Sequence, residues 1–404
     1  MADKSRFDIA LNRLRLILTL AGLNLEKCSL REKIKLRCIY IFSFLWLTSD
    51  SGLGTIDIFK GILNGTDMTQ ITYLLPLGML CAVATCKSFS LIIYNKHVTI
   101  LTDELKILDL NSTFYDTNRR KKIEKEETRL LNIVINLLNL FNIGMVVNFT
   151  FSPLILIAIN YIRTKEVKLM LPFLDVYPFD SLNIKYWPMV YVKQIGSECI
   201  VLLELCAADY YFYTCCTFIR IQFRLLSYEL ENLISPQQLT DDHNDVRERL
   251  LKLIKWHQQL ICLTNTLELI YSKSSLFNFF SSSLIICLTG FNVTVIHDLP
   301  FSVTFLTFLL MSLLQIFFLC LFSDLIMRSS LEVSDAAYNC LWYSADCRFR
   351  KDLMLVQIRA QKPCKLTAMG FADVNLMAFT RVLSSSWSYF CLLNTMYTPP
   401  ADEI

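Results

Sequence analysis

The chain has 404 residues, of which 54% are hydrophobic and only 19% are charged, and its formal net charge is +3. Soluble domains carry more charge, so this composition indicates a polytopic membrane protein. The basic residues occur in short runs between apolar segments, which gives no indication of a nucleic-acid partner. Many of the 15 cysteines lie within apolar runs, where cysteine behaves as a small hydrophobe, so we expect no disulfide framework.

Residues 1–35 form a basic tail in which Leu11, Leu14 and Leu18 recur at helical spacing. This spacing predicts a short amphipathic helix that lies on the membrane surface. The alternative is a solvated basic tail.

Seven apolar runs follow, and each is long enough to cross a bilayer as a helix. No segment repeats another at a fixed period, so we expect one domain spanning 1–404. The runs are Leu36–Phe59, Ile71–Tyr94, Leu130–Tyr161, Met189–Phe218, Leu276–Ile296, Phe301–Ile326 and Leu366–Tyr397.

The basic residues between the runs predict the orientation of the chain. Most lie in the N-terminal tail and in the second-to-third, fourth-to-fifth and sixth-to-seventh connections, whereas the opposite side holds only five. The positive-inside rule therefore places the N-terminus in the cytoplasm and the C-terminus outside. This orientation places the sequon Asn64-Gly65-Thr66 in an outer loop, which makes Asn64 a glycosylation candidate. Residues 247–271 and 329–359 have helical periodicity and are expected to continue membrane helices into the cytoplasm.

The fourth run contains Lys193, Glu198 and Glu204. Charged residues at membrane depth are candidates for function and are expected to face the bundle or water. The alternative is that Lys193 and Glu198 lie near the outer interface and extend their charged ends into water. Asp50 is expected near the outer end of the first run, facing water.

The last run predicts a helix of about 30 residues that contains Asn375, Arg381 and several serines. Such polar groups suit a helix that lines water inside an assembly. The run also carries a pattern that resembles the last segment of insect odorant receptors. The matching residues are Met369-Gly370-Phe371, Leu376, Phe379, Val382-Leu383, Ser386, Ser388-Tyr389-Phe390 and Leu392-Leu393. Further matches are Ile254-Lys255-Trp256-His257 and Leu171-Pro172-Phe173.

The resemblance implies an all-α protein of seven transmembrane helices that is the ligand-tuning subunit of an odorant-gated cation channel. It also implies that this subunit and a co-receptor subunit assemble as a heterotetramer in the plasma membrane of olfactory sensory neurons. The expected parts are a tail (1–35), a six-helix ligand-binding bundle (36–326), and an intracellular anchor with a pore-lining helix (327–404). The expected partners are the co-receptor, a small apolar odorant and membrane lipid.

Other function classes are less well supported by the residues. No catalytic motif, metal-ligand spacing or cofactor motif occurs, so we expect neither an enzyme nor a metal or cofactor protein. A gustatory receptor channel of the same superfamily is the main alternative, although the Thr-Tyr and Gln-Phe motif of such receptors is not found. A transporter would require inverted repeats and broken helices, which the sequence does not indicate.

Aromatic and small polar residues in the outer halves of the second to sixth runs predict a ligand pocket. Pockets of this kind are mostly apolar with a few polar groups, so the ligand is expected to be neutral and lipophilic, with no unpaired charged anchor. The alternative is that these side chains only pack the bundle. The candidates are Tyr73, Leu77, Phe149, Phe151, Ser152, Tyr191, Gln194, Ile195, Cys199, Thr304, Phe305 and Phe308.

A candidate pore gate lies near the end of the last run. Leu392, Thr395 and Met396 share one helical face because they are spaced i, i+3 and i+4. By position they match the pore-constricting residues of odorant receptors, and apolar constrictions gate by excluding water. The alternative is that Leu392 and Met396 pack against neighbouring helices.

The charge distribution gives a topological prediction. A tag at Ile404 should be labelled on unpermeabilised cells, whereas a tag at Met1 should be labelled only after permeabilisation. Labelling of Met1 alone on intact cells would contradict the orientation.

Overall fold

The computed structural model describes residues 5–25, 29–64, 68–111, 117–173, 177, 179–234, 243–295 and 299–397. These residues are almost entirely helical, and a short β-hairpin precedes the last helix. The helices are α1 (Arg6–Leu20), α2 (Leu30–Asn64), α3 (Met68–Ile93), α4 (Asn95–Asn111), α5 (Thr117–Thr164), α6 (Trp187–Glu231), α7 (His243–Val295), α8 (Leu299–Asn339), α9 (Cys347–Ala360) and α10 (Leu376–Met396).

The predicted architecture of seven membrane helices is confirmed. Six of the predicted apolar runs lie in α2, α3, α5, α6, α7 and α8, and the seventh contains α10. Among the described helices, α3, α5, α6, α7 and α8 are each long and apolar enough to cross a membrane. We call the two ends of the bundle outer and cytoplasmic, after the orientation predicted from the charges. The side chain of Asn64 lies outside the described part.

Helix α6 forms the centre of the bundle. Its middle carries a series of fully buried residues, including Tyr210, Tyr211, Phe212 and Tyr213, because other helices surround it. It packs most extensively against α8 and also against α5, α3 and α1. A helix whose apolar residues occur around its whole circumference is expected in such a central position.

The N-terminal amphipathic helix is present as α1, but its apolar face contacts protein rather than the membrane surface. Phe7 is fully buried, and its ring lies 5.0 Å from that of Phe218 on α6. The Asp109 carboxylate on α4 accepts hydrogen bonds from the Ser5 hydroxyl at 2.5 Å and the Phe7 amide at 3.1 Å. These contacts fix the start of α1 to the cytoplasmic end of the bundle, because they supply partners for a buried carboxylate.

The two predicted cytoplasmic extensions differ in the structure. Residues 247–271 are helical, as predicted, within the continuous helix α7. Residues 329–359 are not one helix, since α8 ends at Asn339 and a 3-10 turn, Trp342–Ser344, precedes α9. The Asp346 side chain accepts a hydrogen bond from the Phe349 amide, which caps the first turn of α9 and explains the new start.

The prediction that residues 366–397 form one helix is wrong for the first ten residues. Thr367–Ala368 and Ala372–Asp373 pair as antiparallel strands β1 and β2. The turn between them contains Met369 and Gly370, both with positive φ, a conformation that a right-handed helix cannot include. Helix α10 then begins after Asn375, whose side chain accepts a hydrogen bond from the Ala378 amide.

Three membrane helices are joined by a buried polar cluster. Lys87 on α3 donates to Asp209 on α6 at 2.7 Å, and Gln315 on α8 donates to the same carboxylate at 2.9 Å. All three side chains are buried. Within the cluster each charge depends on the other, because an isolated charge in an apolar interior is costly.

This dependence gives a stability prediction. Asp209→Ala should lower the free energy of unfolding by about 3–5 kcal/mol, because it leaves Lys87 buried without a counterion. The double variant Lys87→Met with Asp209→Leu should recover most of that loss, since an apolar pair replaces the ion pair. Glu248→Ala, which breaks an exposed pair with Lys252, is the control and should change stability by less than about 0.5 kcal/mol. Thermal melting of the protein in detergent measures all three, and a double variant no more stable than Asp209→Ala would contradict the account.

Candidate functional site

A cavity of about 430 Å³ lies between the outer halves of the membrane helices. Its walls come from α2, α3, α5, α6 and α8 and are predominantly apolar. The predicted pocket residues Leu77, Phe149 and Phe308 line it, on three different helices. This volume lies in the range of sites for small organic molecules.

The second outer loop contributes a wall of this cavity. Phe173 lines the cavity, and its ring lies 5.2 Å from that of Phe149. Gln194 on α6 holds Phe173 in place, because its side-chain oxygen accepts from the Phe173 amide at 3.1 Å and its nitrogen donates to the Phe173 carbonyl at 3.2 Å. Gln194 is itself fully buried, so its observed role is to position the loop that covers the bundle.

A smaller cavity of about 20 Å³ lies next to the loop and contains three more predicted residues, Tyr73, Ser152 and Thr304, together with Phe149. The Tyr73 hydroxyl donates to the Pro172 carbonyl at 3.2 Å, and its ring packs edge-on against Phe305 at 5.1 Å. This cavity is too small for an odorant-sized molecule. Its residues instead connect α3, α5 and α8 to the covering loop.

The remaining predicted pocket residues lie outside both cavities. The Tyr191 hydroxyl donates to the Thr150 carbonyl at 2.5 Å, and Ile195 packs against the cluster that contains Tyr191. Cys199 is half-buried and lines neither cavity. Phe151 is 52% exposed on the outer surface of α5, whereas Phe149, two positions earlier, is 6% exposed. The difference follows from helix geometry, since residues two apart do not share a face.

Several cavity residues were not among the predicted ones. The wall contributed by α2 includes Leu47, which is almost fully buried. Such a residue was missed because the sequence of an apolar membrane helix does not distinguish a residue that faces the bundle from one that faces lipid. Phe173 could have been found, because it lies in the outer-loop segment that carries the resemblance.

The acidic residues of α6 at membrane depth face the bundle, which is one of the arrangements expected for charged residues there. Glu198 lines the cavity and is 8% exposed, so the alternative in which it extends into water is wrong. Asp50 does not face water as expected. It pairs with Lys193 at 2.5 Å and accepts a hydrogen bond from Ser197.

The predicted gate residues lie on the unpacked side of α10. Leu392 is 60% exposed and Met396 is 67% exposed, and Thr395 is exposed beside them. The opposite side packs against α7 and α8 and buries Ala378, Val382 and Ser386. Within one chain, therefore, the alternative that Leu392 and Met396 pack against neighbouring helices is not observed.

In the described part of the chain, no cluster of three potential ligand side chains is placed to bind a metal.

Comparison with known proteins gives one family. Residues 67–387 match the profile of the family described as 7tm Odorant receptor. The chain is 28% identical to Odorant receptor 67c of Drosophila melanogaster over 327 residues, which cover 78% of this chain and 80% of that protein. It is 28% identical to Odorant receptor 85b of the same organism over 59% of this chain and 60% of that protein.

The fold is also similar to solved structures. The insect olfactory receptor OR5 from Machilis hrabei superposes with a TM-score of 0.80 at 17% identity, and 97% of this chain and 99% of that one are covered. The structure of the same receptor in complex with eugenol gives a TM-score of 0.76 at 18% identity, with the same coverage. The TM-scores establish a shared fold, and at sequence identities this low the comparison with these structures shows the fold alone.

The hydrogen bonds of Gln194 give a prediction for the covering loop. A cysteine introduced by Leu171→Cys should react slowly with a membrane-impermeant thiol reagent, because Leu171 is 8% exposed. Adding Gln194→Ala removes both bonds to Phe173, which at about 1 kcal/mol each should speed labelling roughly 30-fold. A cysteine at Leu182, which is 51% exposed, is the control and should react rapidly in both backgrounds. Equal rates at position 171 with and without Gln194 would show that the loop is held by other contacts.

Proposed function

Since this chain belongs to the insect odorant receptor family, and is therefore a multi-pass receptor and not an enzyme, we propose that it is the odorant-binding subunit of a heteromeric ligand-gated cation channel. The observation that carries the proposal is the cavity of about 430 Å³ in the outer half of the bundle, where Phe173 of the loop that Gln194 holds forms part of the wall. The proposed location is the plasma membrane of olfactory sensory neurons.

The ligand in this proposal is a small, lipophilic volatile. The cavity walls are mainly apolar side chains such as Leu77, Phe149 and Phe308, so burial of apolar surface supplies most of the binding free energy. At roughly 25 cal/mol per Å² of buried surface, and after the cost of immobilising the ligand, such contacts give micromolar or weaker affinity. Weak binding allows the rapid release that a sensory receptor requires.

The proposed pore is lined by the exposed side of α10. This side carries polar residues, among them Thr380, Arg381 and Ser384, and it ends at Leu392 and Met396. Polar groups at membrane depth are tolerated where they face water, so this side is suited to a water-filled pore formed by several subunits. In the proposed tetramer with a co-receptor, a ring that includes Leu392, Thr395 and Met396 would exclude water when closed.

A chain of contacts connects the cavity with α10. Phe308, in the cavity wall, and Phe317 lie on the same helix, α8, and the Phe317 ring contacts Phe379 of α10 at 5.4 Å. At the outer end, the Phe291 ring of α7 contacts Tyr397 at 5.4 Å. A ligand that binds more tightly when α8 is in a shifted position would therefore also move α10.

We assign the cytoplasmic end to subunit assembly, with residues 327–404 forming the anchor and the pore helix. Helix α9 buries Phe349, Leu353 and Val356 against its own chain. Its opposite side exposes Leu355 (68%) and Met354 (60%). Exposed apolar groups at the predicted cytoplasmic end suit a contact with neighbouring subunits.

The cavity assignment predicts the effect of two matched substitutions. Phe308→Leu should raise the odorant concentration for half-maximal current about ten-fold, because it removes roughly 50 Å² of apolar contact, while maximal current is retained. Phe151→Leu, on the outer surface of the same bundle, is the control and should leave the dose–response curve unchanged. Dose–response recordings with an activating odorant decide between them, and an unshifted curve for Phe308→Leu would place the ligand elsewhere.

The gate assignment predicts a change in conduction. Leu392→Ser or Met396→Ser should increase leak current or alter ion selectivity, since a polar side chain admits water to the constriction. Leu393→Ser, on the packed side of α10, is the control and should affect expression more than conduction. If the substitutions at 392 and 396 changed only surface expression, the gate would lie at another level of the helix.

A further inference from the structure

A second large cavity lies at the cytoplasmic end of the bundle, away from the cavity that we assign to the odorant. It has a volume of about 360 Å³ and lies between α1, the chain that follows α1, and the first turns of α2. We call it the cytoplasmic cavity. Leucines such as Leu18 and Leu36 line part of it, and the basic residues Arg15 and Lys35 line it as well. Its volume lies in the range of sites for small organic molecules.

The two walls of the cytoplasmic cavity are held together by contacts of the backbone. The Asn95 side chain on α4 donates to the Asn24 carbonyl at 2.7 Å, which fixes the chain after α1. Gly22 has a φ of +71° and lies so close to α2 that a Cβ there would be 2.7 Å from the Tyr40 amide nitrogen and 2.8 Å from the Leu36 carbonyl oxygen. The cavity is therefore formed by the chain itself, before any ligand binds.

The position of the cytoplasmic cavity along α2 places it at the edge of the bilayer. Leu36 lines it and is also the first residue of the first predicted membrane run, and Lys35 directly precedes that run. On α1, Leu16 is 69% exposed and Leu20 is 51% exposed, on the side away from the buried residues of that helix. Exposed leucines on a helix at this level suit contact with lipid. The cavity therefore lies at the level of the lipid headgroups of the cytoplasmic leaflet.

The charges of the cytoplasmic cavity favour an anionic ligand. Arg15 and Lys35 are exposed, and neither side chain forms an ion pair or a hydrogen bond with another described residue. One carboxylate oxygen of Glu32, the acidic residue of the described lining, accepts from the Ser29 amide at 3.1 Å and from the Ser29 hydroxyl at 3.2 Å. The described lining also contains no aromatic ring that could bind the quaternary ammonium group of a choline lipid.

From these observations we propose that the cytoplasmic cavity binds the headgroup of an anionic phospholipid of the cytoplasmic leaflet. Arg15 and Lys35 pair with the acidic groups of the headgroup, and this pairing favours an anionic lipid over a zwitterionic one. The leucines of the wall contact the apolar part of the lipid, and burial of that part favours a lipid over a free phosphate. The bound lipid joins α1 to the first membrane helix.

The test measures lipid binding by the purified full chain in a neutral detergent. Native mass spectrometry counts the bound molecules as the concentration of each ligand is raised. The ligands are dioctanoyl phosphatidylserine, dioctanoyl phosphatidylcholine and glycerophosphoserine. The two lipids share their acyl chains and phosphate but differ in net charge, whereas glycerophosphoserine carries the serine headgroup without acyl chains.

Three variants separate the cavity from the general basic charge of this region. Arg15→Gln with Lys35→Gln removes both basic groups of the cavity. Arg31→Gln with Lys33→Gln is the matched control, because it removes one arginine and one lysine from exposed positions of α2 that do not line the cavity. Asn12→Trp keeps every charge and fills the cavity, since Asn12 lines it. The melting temperature of each variant without added lipid checks that it is folded.

The native chain should bind one phosphatidylserine about ten-fold more tightly than phosphatidylcholine or glycerophosphoserine. Arg15→Gln with Lys35→Gln should weaken this binding about 30-fold, because two charges near the lipid are lost. Arg31→Gln with Lys33→Gln should weaken it less than about three-fold, since these residues act only through the surface potential. Asn12→Trp should weaken it about ten-fold or more, because the headgroup loses its space.

The proposal is overturned if the native chain retains no phosphatidylserine, or if the two double variants lose binding equally, since the lipid would then lie diffusely over the basic segment. Equal binding of the two lipids would also contradict it. Glycerophosphoserine that binds as tightly as phosphatidylserine would identify a site for a soluble anion instead. Neither an odorant nor a co-receptor is used, so these outcomes leave the proposed channel function unaffected.

Discussion

The structure depends on one constraint of the bilayer, which offers no hydrogen bonds to the polar groups inside it. The clearest response is the buried cluster in which Lys87, Asp209 and Gln315 join α3, α6 and α8. Glu204 with Ser88, and Asp50 with Lys193, follow the same rule. Among the described residues Glu198 and Gln222 depart from it, since the polar atoms of both side chains are buried without a hydrogen-bonding partner.

The same constraint distinguishes two regions of the molecule, the cavity and helix α10. The cavity proposed as the odorant site lies between α2, α3, α5, α6 and α8, whereas α10 packs with only one side and leaves its polar side exposed. Helix α8 belongs to both parts, since Phe308 lines the cavity and Phe317 contacts Phe379. An odorant that binds weakly can still shift such an arrangement if closed and open states differ by only a few kcal/mol.

The sequence was sufficient to locate the membrane helices, because hydropathy and length determine them. It was less informative about where the last helix begins, which depends on backbone conformation, and about which residues line the cavity, which depends on helix rotation. The residues around Met369 and Gly370 are apolar enough to extend the last helix, and only their positive φ values break it. Leu77, Phe149 and Phe308, predicted as ligand-binding residues, line a cavity. Phe151, predicted with them, lies on the outer surface of α5, because a helix that is apolar on all sides gives no signal of its rotation. The contribution of α2 to the cavity depends on how the helices pack, which no local pattern encodes.

The central claim is that this chain supplies the odorant site of a channel completed by a co-receptor. It is tested most directly by whole-cell recording from cells that express the chain alone, the co-receptor alone, or both, during application of an odorant panel. The account predicts odorant-evoked cation current from the pair for odorants to which the co-receptor alone does not respond, with a dose dependence that changes when Phe308 is substituted. Responses identical to those of the co-receptor alone, with both subunits present at the cell surface, would contradict it.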